Sequence, residues 1–100
     1  MEGPKDYSAF NDTLHGNAPP AKWPTPLQAM WYDAKEDWHN AHEIAQDIPN
    51  PEGDWIHAYL HRKEGDVYNA RYWYRKANKP FPSLSLEVEQ REIVNALLKL

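Results

Sequence analysis

His57 and His61 are four residues apart, and His39 and His42 are three apart with Glu43 beside them. On a helix, either spacing puts two imidazoles on one face, where they can ligate a metal such as zinc. If the two segments run antiparallel, the start of the first nears the end of the second, and His39 or His42 approaches His61. Two features weigh against a ligand role. The chain has no His-Glu-x-x-His sequence, and hydrogen-bonded interior histidines are commoner than ligands. No metal or other cofactor is therefore assigned, and metal binding or a small enzyme using these histidines is the second reading.

Other chemistry finds less support. Glu36, Asp37, Glu43 and Asp47 cluster, but two carboxylates need a cleft and unequal surroundings to act as acid and base. Serine occurs only at positions 8, 83 and 85, near chain ends or helix caps, which argues against a nucleophilic triad. The four glycines, at 3, 16, 53 and 65, form no phosphate loop. With no cysteine there is neither disulfide framework nor thiolate site. No residue is assigned as catalytic, and the chain reads more as a binding protein than as an enzyme.

One hundred residues make one small domain with a modest core. Five Trp, six Tyr and two Phe must supply much of the packing area. No apolar run approaches the roughly 20 residues of a membrane span. The first residues lack the basic-then-apolar pattern of a signal peptide, so a cytoplasmic protein is expected. Arg62 to Lys79 carries +4, leaving −8 on the rest of a chain whose net charge is −4.

The elements that must position these groups are all helical, since no stretch alternates with period two. Residues 1–24 form a lead-in, irregular or with one short helix capped by Asp6. Residues 25–100 form a single helical domain. Thr25, Pro26 and Gln28 suggest a capping box opening a helix to about Glu36. Asp37 can cap the next, which carries Trp38, Ala41, Ile44, Ala45 and Ile48 on one stripe. The third helix starts either at Pro51, capped by Asn50, or at Trp55, capped by Asp54. Gly65 supplies the left-handed residue after it, and Asp66 caps a fourth. Ser83 or Ser85 opens the last helix, striped by Leu86, Ile93, Leu97 and Leu100. That helix is expected to cap the second hairpin; a homodimer through the same stripe is the alternative.

Sliding the chain by 29 residues lays the first helix pair on the second. Ala29 meets Ala58, Asp37 meets Asp66, Asn40 meets Asn69 and Ala41 meets Ala70. Ala58-x-x-His61, Gly65-Asp66, Ala70-x-x-x-Tyr74, Ala77 and Pro82 resemble a tetratricopeptide repeat. Tyr72-Trp73-Tyr74-Arg75-Lys76-Ala77 resembles its Sel-type relatives more closely. The leading Trp and Leu-Gly of the standard repeat are missing, and the 29-residue step is shorter than its 34. Most of residues 20–98 also resembles a group of small uncharacterised bacterial proteins, which implies no particular activity. The fold implied is two antiparallel helical hairpins plus a C-terminal capping helix.

In tetratricopeptide-like proteins the first helix of each hairpin lines a concave groove that binds a peptide. By position, that resemblance implies Met30 and Asp33 from one helix, and Trp55, Tyr59, Arg62 and Lys63 from the other. Rings beside cations suit an acidic or C-terminal peptide. His57, His61, Tyr72 and Trp73 complete the candidate site, because packing alone does not account for them. The expected partner is thus a protein or an acidic peptide. Single-stranded nucleic acid fits less well, because the chain is acidic overall and its basic run is short.

Overall fold

The structure is a computed structural model that describes residues 3–100. Those residues form six α-helices and no strand: α1 (Tyr7–Asp12), α2 (Thr25–Ala34), α3 (Trp38–Ala45), α4 (Pro51–Lys63), α5 (Val67–Lys76) and α6 (Leu86–Leu98). A single 3₁₀ turn, Thr13–His15, follows α1.

Side-chain caps fix most of the starts. Carboxylates of Asp6, Asp37 and Asp66 and the amide oxygen of Asn50 each accept from the backbone N–H three residues on, as does the Ser85 hydroxyl. Asn50 therefore opens α4 with Pro51 in its first turn, and Asp54 lies inside the helix. The capping box expected at Thr25 does not form. The Gln28 N–H bonds the Pro24 carbonyl at 3.2 Å, which starts the helical ladder one residue early. The Gln28 side chain instead donates to the Trp23 carbonyl at 2.7 Å and ties the lead-in to α2.

The turns after α2 and α4 are built alike. Glu36 and Gly65 both adopt positive φ, +60° and +89°. Asp37 N–H bonds the Tyr32 carbonyl at 2.8 Å, and Asp66 N–H bonds the His61 carbonyl at 2.9 Å. These are the 6→1 bonds of a Schellman ending. The pattern recurs after α5, where Asn78 has φ +59° and Lys79 N–H bonds the Tyr74 carbonyl at 2.9 Å.

Close helix approach depends on small residues. Ala29, Ala41, Ala58 and Ala70 are fully buried. Gly53 lets the first turn of α4 rest on Ile48: a Cβ there would lie 2.4 Å from the Ile48 carbonyl oxygen. Ile48 is buried although α3 ends at Ala45.

Helix α4 is the hub, packed against α2, α3, α5 and α6. The C-terminal helix departs from expectation. It lies on α2 and α4, with α1 against it, and not across the outer end of the second pair. The reason is apolar area: Leu27, Met30, Trp31, Ile56, Tyr59 and Leu60 offer it one continuous core, which Ile93, Val94 and Leu97 complete. Leu100, counted in that stripe, lies past the helix end and is exposed. The lead-in shares this core through Phe10 and Trp23, whose rings stack.

Candidate functional site

Packing of α3 on α4 brings three of the five histidines together. His42 comes from α3, and His57 and His61 lie one turn apart on α4. One ligand nitrogen from each lies within 4.8 Å of the other two. His42 Nε2 and His57 Nε2 are only 3.1 Å apart. His39 faces solvent and takes no part.

Aromatic rings wall the cluster on two sides. Trp38 stacks on His42 with centroids 4.8 Å apart, and its own indole N–H is held by the Leu60 carbonyl at 2.7 Å. Trp73, from α5, stacks on His57 at 4.0 Å. His57 and His61 stack on each other at 4.8 Å. His57 is buried and His42 is half-buried; the His61 side chain is only 12% exposed.

The surroundings favour the neutral forms of His42 and His57. Burial, then the nearby charges of His61, His42 and Lys76, push His57 down to about 4. Burial and His61 also lower His42, against the pull of Glu43 and Glu64. His61 Nδ1 lies 2.7 Å from a Glu64 carboxylate oxygen. That contact calls for a proton on Nδ1, so Nε2 is the nitrogen this ring can offer a metal. Carboxylate–histidine contacts of this kind typically orient metal-ligating imidazoles.

The remaining predicted site residues face elsewhere. Met30 is sealed in the core. Asp33 is buried, accepting from Tyr59 Oη at 2.8 Å and from Lys63 Nζ at 2.8 Å. Lys63 also reaches Glu36 at 3.1 Å. Burial raises the Asp33 carboxyl above its ordinary value despite Lys63, because the carboxylate is the deeper partner. Burial pulls Lys63 down, but the hydrogen bonds and charges of Asp33 and Glu36 outweigh it and leave Lys63 raised.

Arg62, Trp55 and Tyr74 converge on Glu89 of α6. Arg62 Nη1 donates at 2.7 Å, Trp55 Nε1 at 3.1 Å and Tyr74 Oη at 2.6 Å. The second Arg62 nitrogen donates to the Leu84 carbonyl. The groove chemistry expected for an acidic peptide, rings and a cation around a carboxylate, is thus met by the chain's own helix. Tyr72 stays about half exposed, and Trp73 serves as the wall under His57.

Glu89 lies three residues after Leu86 and four before Ile93, which puts an acid on the apolar stripe, yet it reads equally well as a helix-dipole partner. His42 and Glu64 had their signal in the antiparallel expectation and in their nearness to the turn.

Chemically, His42, His57 and His61 bring three imidazoles together as a donor set suited to a divalent transition ion; without an ion, the Nε2 atoms of His42 and His57 share a hydrogen bond. A tetrahedral ion with nitrogen bonds of about 2.0–2.1 Å holds its ligand nitrogens about 3.3 Å apart. The His42–His57 spacing of 3.1 Å is close to that, and the His61 nitrogen, within 4.8 Å of both, would have to move in to complete the set. Compared with known proteins, the chain matches no family model, no curated protein and no solved structure.

Proposed function

We propose that this chain is a metal-binding protein that holds one divalent first-row transition ion through His42, His57 and His61. What carries this is the convergence of three imidazoles from two helices, with one nitrogen pair at 3.1 Å and a carboxylate behind the third ring. Imidazole donors suit zinc, copper and nickel. The half-buried edge at His42 leaves a side from which an ion and a fourth, exchangeable ligand enter. The binding also ties α3 to α4, and so one helix pair to the other. We read the two pairs as tetratricopeptide-like units; their matching turns support that. A peptide in the inner groove would have to displace α6, so peptide recognition there is the less supported use of the fold.

The test is metal analysis of untagged protein, with zinc-dependent stability measured by thermal unfolding. About one ion per chain is expected. Zinc at about 100 times its dissociation constant should add about 2.7 kcal/mol of stability. His61→Gln and His42→Gln should abolish both effects while keeping the helical circular dichroism. Wild-type protein that carries no ion and gains no stability from added zinc, copper or nickel would refute the proposal.

A further inference from the structure

The two outer helices carry opposite charge. Residues 67–79 hold four cations, Arg71, Arg75, Lys76 and Lys79, and no acid. Residues 36–47 hold four acids, Glu36, Asp37, Glu43 and Asp47, and no Lys or Arg. All four cations are exposed, as are Glu36, Glu43 and Asp47. Among the described residues none of these cations forms an ion pair, and of these acids only Glu36 does.

The basic face also presents rings. Tyr68 is 86% exposed and Tyr72 47%, four residues apart on α5. Among the described residues α4 is the only helix with which α5 makes a substantial pairing, so no other helix packs over Tyr68 and Tyr72. Arg71 lies over the Phe81 ring at 4.8 Å and Lys76 over Trp73 at 4.9 Å, which limits how far these cations move.

The acidic side has a matching recess. A cavity of about 240 Å³ opens where the start of α2 meets the end of α3, lined by Pro26, Ile44, Ile48 and Pro49 with Asp47 among them. Its apolar part suits a tyrosine ring, and Thr25, Asp47 and Asn50 make the rest of the lining polar. Asp47 would accept from the phenol or pair with a neighbouring guanidinium. Aromatic rings seated in pockets beside paired charges are the usual anchors of protein interfaces.

We infer that a second copy of this chain is the partner, with the Tyr68–Tyr72 face of α5 in one copy docked on the Asp47 recess of the next. The two faces differ, so the contact is heterologous and links copies head to tail. Complementary charge makes it salt-sensitive, since screening reaches about 30 Å at 0.01 M salt and about 3 Å at 1 M.

Sedimentation velocity of the full chain, with EDTA present to remove metal bridging, tests this. At low salt the average mass should rise with protein concentration, and at high salt it should fall to that of the monomer. Arg71→Glu/Arg75→Glu should remain monomeric, and so should Glu43→Lys/Asp47→Lys. Mixing these two variants should restore association, because each then offers the face that the other lacks. Tyr68→Ala should weaken wild-type association about tenfold, the scale of one interface ring. A wild type that stays monomeric at every salt and concentration would overturn the inference, whether or not it captures nucleic acid or another acidic protein. So would a mixture of folded variants that does not associate.

Discussion

The α2–α3 and α4–α5 pairs share a backbone design and differ in chemistry. Both turn on a positive-φ residue followed by a capping Asp, and in both the Asp is gripped by an Asn three residues on, Asn40 or Asn69, at 2.7 Å. Their inner helices diverge at equivalent positions. Asp33 is a buried acid that meets Lys63, whereas Arg62, 29 residues on, is a cation that meets the buried Glu89. Their outer helices diverge too: α3 brings His42 to the histidine cluster, and α5 brings Trp73 to wall it. Geometry in this chain is set by a few turn and cap residues. The chemistry lies in the positions that the repeat leaves free.

The sharpest way to break the comparison is at positions 33 and 62. Arg62→Met would leave the Glu89 carboxylate buried without its cation, and a loss of about 3–5 kcal/mol in urea unfolding is expected. Asp33→Asn should cost less, about 1–3 kcal/mol, because Lys63 keeps Glu36 as a partner. Equal losses would mean that the two ion pairs are energetically alike.

Gly53→Ala comes next. Its Cβ would press on the Ile48 backbone, and overpacking of this kind costs about 1–3 kcal/mol. Thermal unfolding reads the loss.

The turns offer a smaller and cleaner test. Gly65→Ala meets nothing within 4 Å, so its cost is backbone conformation alone, about 1–2 kcal/mol. Glu36 already bears that strain at the equivalent position, so Glu36→Gly should move stability the other way, less whatever its contact with Lys63 contributes. Two losses in place of a loss and a gain would show that the turns are not equivalent.

The smallest expected effect is one of pH. The Lys63 pKa is raised in the fold. Its pairing therefore stabilises fully below the ordinary lysine value of about 10.4 and is lost as pH climbs through the raised value. Stability should fall on that alkaline limb, and Lys63→Met should make the fall shallower, the remainder coming from Tyr59 and Tyr74, whose phenols burial also raises.

Much of this was legible in the chain because it is local. Caps at Asp37, Asn50, Asp66 and Ser85, the Gly65 turn and the 29-residue shift depend on residues within a few positions of one another. Thr25 misled because the Gln28 N–H prefers the Pro24 carbonyl to a side-chain cap, a choice between two nearly equivalent starts. What escaped depends on distant packing. Glu89 meets Arg62 across 27 positions, and α6 settles on α2 and α4 because their combined apolar face is wider than the end of α5. Val67, which the 29-residue shift lays on Trp38, is about half exposed. It lacks the indole that Trp38 anchors on Leu60.

The three-histidine site is tested most directly by cobalt. Untagged wild-type protein stripped of metal should develop, on titration with Co²⁺, the intense visible bands of a four-coordinate ion. Those bands should saturate near about one equivalent and be absent in folded His61→Gln. A wild type whose spectrum stays that of hexaaqua cobalt, or a His61→Gln variant with the same bands, would contradict the site.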